Sequence, residues 1–361
     1  MVKEYIVKTR ISDDEMGKME GQFIDEQCIS KVIKHDADIY RLDTKGNKIL
    51  LAKFRKKVIP QDKITIGFIN FSKLAKPGRG RGPGAGPIKP GSKYWRKRKV
   101  SKCKSDWMTY QILDNGEKSK MQVSNPVIST PIGFTESNGL GQLPCRLTHF
   151  TRTHFEYYTN GIPFINEIDK QFAKLVPSAY RKQKNQANKR KDLKIKNTAF
   201  STITVNRNFR TALHKDSGDF KDGFGNLSVI ERGKYSGGYT VFPQYKIGFD
   251  VRNGDFLAMD VHEWHANTAL YETPEQKKYN LALDDIFKDN ADIGTAGTEF
   301  KFTRLTFVCY LRENLIHCSD KIDPQYLTAG DNKKIIPKKK YKDIKPMKKS
   351  VSSRRKTQKK S

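Results

Sequence analysis

The part of this 361-residue chain that most limits its fold is the stretch 211–312. Short apolar runs at 227–230 and 239–242 are divided by Gly237-Gly238, and a further pair, 247–251 and 255–261, flanks Asn253-Gly254. Asn-Gly between apolar runs is the strongest local hairpin signal, so the spacing predicts that 247–251 and 255–261 pair with each other. Short strands punctuated by turns fold as an antiparallel barrel or jelly roll open at one end. The expected class is α+β: a double-stranded β-helix (jelly-roll, cupin-like) core, supporting helices, and a basic disordered C-terminal tail.

Within the same stretch lie His214-Lys-Asp216, then His262 and His265, then a last apolar strand opening on Arg304. Residues i and i+2 share a strand face, so His214 and Asp216 point the same way. Two imidazoles and one carboxylate on one triangular face bind iron(II) and leave positions free for a co-substrate and dioxygen. The third ligand must come from another strand, and His262 and His265 are the next histidines in the chain. Their parities differ, so only one of them is well placed.

Charge points to the partner. The chain carries a net charge of +30, clustered rather than evenly spread. Such clustering reads as attraction to a polyanion, nucleic acid before an anionic membrane surface. Residues 333–361 hold fourteen Lys/Arg and one Asp. A tail of this kind stays disordered and either strengthens nucleic-acid binding in a salt-dependent way or serves as a nuclear-import signal. The five cysteines, at 28, 103, 145, 309 and 318, form no C-x-x-C pair, so neither a structural zinc site nor a disulfide framework is expected. They suit a reducing intracellular compartment. The N-terminus has no apolar h-region and no window is apolar enough to span a bilayer. The expectation is a soluble intracellular monomer, nuclear where a nucleus exists, that binds nucleic acid and no membrane.

In chain order, residues 1–75 read as a small strand-rich module with a hairpin around 44–47. Residues 76–130 begin with a Gly/Pro-rich basic segment and read as a loop or linker, in which Tyr94 and Trp95 could stack on a base. Residues 131–158 are irregular, and His149 and His154 are ordinary histidines there. The apolar spacing of 163–180 predicts a helix ended by Pro177. Residues 183–196 are strongly basic, either the face of a second helix or a lysine-rich loop. The β-branched run 199–205 predicts the strand that leads to His214. The insert 271–300, with Asp284, Asp285, Asp289 and Asp292, reads as a lid or surface loop. The dioxygen-binding domain would then span 131–328, followed by the tail at 329–361.

With these residues in view, the block 198–312 resembles the iron(II)- and 2-oxoglutarate-dependent nucleobase dioxygenases of the TET/JBP family. The likeness rests on His214-Lys-Asp216, GGYTVFPQY, Asp250-Val-Arg-Asn-Gly-Asp255, Val261-His-Glu-Trp-His265 and Arg304-Leu-Thr306. It extends more weakly through Cys145-Arg-Leu-Thr and Pro177-Ser-Ala-Tyr. The resemblance implies iron(II) held by His214, Asp216 and a distal histidine. His265, followed by the small Ala266, is the better placed, with His262 packing or hydrogen-bonding nearby. It further implies that Arg304 pairs with the distal carboxylate of 2-oxoglutarate, aided by Thr306. Asp219 stands three residues after the metal aspartate, where TET-like members read the base edge. Arg312, eight after Arg304, stands where they carry a histidine. That departure, and the lack of the cysteine-rich zinc region of animal TET enzymes, leave 5-methylcytosine and thymine both open as substrates.

The function these residues point to is hydroxylation of a pyrimidine 5-methyl group in DNA, with iron(II), 2-oxoglutarate and dioxygen. A protein hydroxylase on the same fold, or an inactive barrel that only binds DNA, are the competing classes.

Overall fold

Alternation along the strands decides what faces the core and what faces the site. In the strand Thr303–Tyr310, Leu305, Phe307 and Cys309 join an apolar cluster with Ile203 and Val205 of Thr202–Arg207. Thr306, Val308 and Tyr310 point the other way and line a cavity together with Thr204 and Asn206. One period-2 pattern therefore serves two layers at once. In this computed structural model, residues 1–73, 77–101, 105–137, 143–287 and 294–328 are described. The expected tail, and Asp289 and Asp292 of the insert, lie outside the described residues.

These strands belong to a nine-stranded sheet. Its order is Lys3–Val7, Ala37–Leu42, Lys48–Arg55, Phe256–Met259, Gly225–Arg232, Thr303–Tyr310, Thr202–Arg207, Ser129–Thr135, Arg146–Leu147. Pairing is antiparallel except at the first pair. A second sheet, Ala266–Asn267, Thr240–Phe242, Ile247–Phe249 and Lys31–Ile33, lies against it. Leu227, Val229, Leu257 and Met259 of the large sheet meet Phe242, Ile247 and Phe249 of the small one. On the outer face of the large sheet pack the helices Gln61–Phe71 and Phe155–Leu175, through Phe71, Phe164 and Phe172. Two stacked sheets with helices on one outer side are the α+β jelly roll expected from the sequence.

Several local expectations come out differently. The runs flanking Asn253-Gly254 do not pair with each other. Ile247–Phe249 pairs with Thr240–Phe242 and Lys31–Ile33, whereas Phe256–Met259 pairs with Gly225–Arg232 and Lys48–Arg55. The turn carries the chain from one sheet to the other, with Gly254 at φ +76° and Asn253 exchanging hydrogen bonds with Glu231. The hairpin around 44–47 forms, but its strands extend the large sheet through Phe256–Met259. Within 76–130, Val100–Ser101, Thr109–Ile112 and Lys118–Val123 form a three-stranded sheet. Trp95 is buried and donates its indole N–H to Asn125, so it is no platform for a base. Tyr94 has the Arg98 guanidinium over its ring at 3.8 Å.

Pro163 lies inside Phe155–Leu175 instead of opening a helix. An interior proline costs about 3 kcal/mol. Phe164, Ile165, Ile168 and Phe172 are all fully buried on this helix, and each contributes about 1.5–3 kcal/mol, which outweighs that cost. Pro177 ends that helix and occupies the first turn of the next, Pro177–Ala187, where its missing N–H is harmless. His154 stacks on Phe150 with ring centroids 4.9 Å apart. Cys145 and Cys318 are disulfide-bonded, contrary to the reading of scattered free thiols; the fold brings residues 173 apart in sequence to a Cα separation of 6.2 Å. Among the described residues no helix is long and apolar enough to cross a membrane.

Gly161 marks how closely the two outer helices approach, since a Cβ there would strike the fully buried Phe71 ring. Helix propensity alone would favour Gly161→Ala by about 1 kcal/mol. Overpacking a filled core costs about 1–3 kcal/mol, so the substitution is expected to destabilise. The thermal midpoint should fall by roughly 2–6 °C. A rise would show that the helices do not pack this closely.

Candidate active site

The centre is built on backbone pairing between two loops. His214 and His265 form an isolated antiparallel bridge, each amide donating to the other's carbonyl at 3.1 and 3.0 Å. The amide of Asp216 donates to the Val261 carbonyl at 3.0 Å. Nε2 of His214 lies 3.5 Å from Oδ1 of Asp216, and Nε2 of His265 lies 3.7 Å from its Oδ2. One ligand atom from each of the three lies within 4.8 Å of the others.

The protons on the two rings are fixed by their neighbours. Nδ1 of His214 donates to the Ala212 carbonyl and Nδ1 of His265 to the Glu263 carbonyl, both at 2.9 Å. A carbonyl only accepts, so each Nδ1 carries hydrogen and each neutral ring presents a bare Nε2 toward Asp216. Burial and the nearby His214 push His265 down to about 4, so it is neutral at neutral pH. At His214 burial also disfavours the charge, but the Asp216 carboxylate overrides it and the net shift is upward. Asp216 is opposed by burial, yet the two histidines hold it well below the usual carboxylate range. Two imidazoles whose Nε2 atoms face one carboxylate, with their Nδ1 atoms anchored, fit iron(II) with open positions, the metal taking the place of any proton on His214.

His262 is not part of this group. Its Nδ1 lies 3.3 Å from Asp260 and its Nε2 3.4 Å from the Asp219 carbonyl.

His214, Asp216 and His265 line a cavity of about 510 Å³ that also takes in Asp219, Thr306 and Arg312. Arg304 is 2% exposed and donates from Nη1 to Thr306 Oγ1 at 2.6 Å. Its Nε and Nη2 are buried without a hydrogen-bond partner. Leaving a buried cation's N–H groups unpaired is costly, so an anion fits here, and a guanidinium fork suits a carboxylate. Gly238, at φ +68°, keeps the backbone close to this guanidinium; a Cβ there would sit 3.6 Å from Nε. The residues present thus fit a dicarboxylic co-substrate as well as a metal.

Asp219 and Arg312 are backbone-bridged, and the Arg312 guanidinium pairs with Glu136. Burial, then the charge of Asp216, push the Asp219 carboxyl well above the ordinary carboxylate range, and its Oδ2 has no partner. Glu136 and Arg81 escaped the sequence reading. Arg81 lines the cavity and donates to Thr204 at 3.3 Å. It sits in a Gly/Pro-rich run whose composition resembles a linker, and no local signal marks it. Its amide reaches Ser124, which holds the run in place.

The geometry separates the two distal histidines by experiment. In a titration with cobalt(II), His265→Ala is expected to lose at least about 100-fold in affinity, and His262→Ala to stay within about tenfold of the parent chain. The reverse order would assign the ligand to His262.

Comparison with known proteins addresses the family rather than the individual site residues. The family model described as the oxygenase domain of the 2OGFeDO superfamily, Tet_JBP, matches residues 131–313. The bifunctional helicase and thymine dioxygenase JBP2 of Leishmania tarentolae is 33% identical over 172 residues, 48% of this chain and 13% of that protein. Thymine dioxygenase JBP1 of Trypanosoma brucei brucei is 33% identical over 153 residues, 42% of this chain and 18% of that protein. The chain thus matches less than a fifth of the length of either relative. A solved structure of NgTET1 in complex with 5mC DNA aligns with 86% of this chain and 83% of its own at 11% identity, with a TM-score of 0.45. The family match covers just over half of the chain. With the iron(II), 2-oxoglutarate and dioxygen that its superfamily implies, the chain belongs to the Tet_JBP oxygenase family.

Proposed function

We propose that this protein hydroxylates the 5-methyl group of a pyrimidine in DNA, with thymine placed before 5-methylcytosine. His214, Asp216 and His265 hold iron(II), and Arg304 with Thr306 holds the distal carboxylate of 2-oxoglutarate. The observation that carries this reading is the buried Arg304 with two unpaired nitrogens beside Thr306, which lines the same cavity as the two histidines and Asp216. The relatives whose names specify thymine supply the order of substrates.

When bound, iron(II) with 2-oxoglutarate and dioxygen supplies the oxidising power: one oxygen atom enters the methyl C–H bond and the other leaves in succinate, with loss of carbon dioxide. The chain's own residues do the rest. The Ala212 and Glu263 carbonyls keep both imidazoles turned toward the metal. Asp219 and Arg312 meet the polar edge of the base at the cavity wall. A methyl group inside a stacked duplex cannot enter such a cavity, so the base is extruded or presented single-stranded, at a cost of about a few kcal/mol. The catalytic unit runs from 131 to 328 with its insert, and the strands and loops of 1–130 complete its sheets and cavity. Acting on DNA implies a location in the nucleus of a nucleated cell.

Anaerobic loading with iron(II) and 2-oxoglutarate, then oxygen, should give 5-hydroxymethyl nucleosides by mass spectrometry, with more product from DNA containing thymine alone than 5-methylcytosine would add. Absence of any hydroxymethylated base, with succinate formed on a peptide instead, would refute the reading.

Phosphate contacts offset the cost of extrusion. Eight of the sixteen residues in 181–196 are Lys or Arg, and Arg181, Lys189, Lys191 and Lys196 are exposed. This segment abuts the loop that carries Asp219: Ala187 packs with Phe220 and Leu311, and Lys182 lies 3.6 Å from Asp222. Replacing Arg181, Lys189 and Lys191 by Glu is expected to flatten the slope of log affinity for duplex DNA against log salt by about 2–3. An unchanged slope would exclude this face.

A further inference from the structure

The sequence left residues 1–75 without a role, and the family match begins only at residue 131. Yet one short N-terminal segment touches both loops of the candidate metal centre. Ser12 caps the helix Asp13–Lys18: its hydroxyl accepts from the Glu15 amide and the Glu15 carboxylate accepts from the Ser12 amide. This reciprocal cap fixes where Asp13 stands. From there Oδ1 of Asp13 accepts from Nζ of Lys215 at 2.6 Å and from the indole Nε1 of Trp264 at 2.8 Å. Lys215 separates His214 from Asp216, and Trp264 immediately precedes His265. A single carboxylate oxygen therefore joins the two ligand-bearing loops.

The rest of the segment reinforces the same junction. Met16 is fully buried in a cluster with Leu213, Trp264 and Ala266, the neighbours of two ligands. The Gly21 amide donates to the Leu213 carbonyl at 2.8 Å, and the Leu213 amide to the Gln22 carbonyl at 2.9 Å. Nζ of Lys215 also lies 4.9 Å from the centre of the Trp264 ring. Backbone, apolar and charged contacts thus all run from 13–22 to 213–215 and 264–266.

We propose that this N-terminal segment clamps the metal centre, with Asp13 as a positioning residue that holds the His214–Asp216 loop to the His265 loop. The inference rests on reading those three residues as metal ligands. Groups that orient ligands from outside typically change metal affinity by about 10–100-fold. The Asp13 side chain is 71% exposed in its pair with Lys215, and solvent screening weakens such a pair. The expected loss for Asp13→Asn is therefore at the low end, about 3–10-fold.

The test is a cobalt(II) titration of the full chain, read by calorimetry and by the visible absorption of the bound ion. Asp13→Asn should lower affinity about 3–10-fold and alter the absorption band, while the thermal midpoint of the metal-free chain stays close to the parent. Lys215→Met and Trp264→Phe each remove one arm, and combining either with Asp13→Asn should cost less than the sum of the two. Parent-like affinity and band shape in Asp13→Asn would overturn the clamp, as would full additivity with both partners. A fall in the metal-free midpoint with unchanged cobalt(II) affinity would overturn it too, leaving Asp13 a merely structural residue. If the parent chain itself binds no cobalt(II), the fault lies with the ligand assignment beneath it.

Discussion

Reciprocal hydrogen bonds between the backbones of His214 and His265 set the spacing of everything else at the centre. In an antiparallel bridge the two side chains emerge on the same face, and Asp216, two residues on, shares that face. The pairing continues beyond the bridge. The Asn267 amide donates to the Thr211 carbonyl at 2.8 Å, and Ala266–Asn267 pairs with Thr240–Phe242. A slip of one residue would turn His265 away and bring a neighbour into its place. The candidate ligand set is therefore a consequence of register, and register is held by the smaller sheet.

The same rule explains what the sequence could disclose. His214-Lys-Asp216 and Arg304-Leu-Thr306 are legible because an i, i+2 pair carries its geometry in its spacing. The strands 202–207, 225–232 and 303–310 are legible because β-branched and apolar residues recur where a half-buried sheet needs them. Asn253-Gly254 misleads for a physical reason. Its left-handed glycine reverses the chain as well between sheets as within one, and the choice is made by partners at Lys31–Ile33 and Lys48–Arg55, some two hundred residues away. Arg81 and Glu136 were invisible for a related reason. Each reaches the site across the fold, with nothing in its neighbours to mark it. The Cys145–Cys318 bond is likewise a product of tertiary closure.

The N-terminal strands show the limit of reading domains from composition. Ala37–Leu42 and Lys48–Arg55 form the local hairpin that their turn announces, yet the edge of that hairpin is not left open. Met259 pairs with Ala52 and Phe256 with Arg55, so the hairpin shields an edge of the large sheet that would otherwise expose unpaired amides. Asp255, fully buried at the start of that strand, pairs with Lys56 at 2.7 Å and accepts the Lys57 amide. A buried carboxylate left without its cation would be strongly destabilising. The loop from the smaller sheet is thereby tied to the N-terminal strands at the point where the chain changes sheets.

Charge is distributed on the same principle of separate layers. Arg304 is shielded from water and Asp216 is partly so, so their electrostatics are stronger than those of surface charges, and they act on what enters the cavity. Arg181, Lys189 and Lys191 stand in solvent, where salt screens them beyond about 8–10 Å. Such exposed cations cannot orient a base, but they can hold a phosphate backbone, which presents a charge at every step. Because their segment packs on the loop bearing Asp219, a strand held by them would lie beside that wall of the cavity. Under the proposed function, extrusion of one nucleotide would be a local rearrangement of a bound strand, its cost of about a few kcal/mol set against contacts already made.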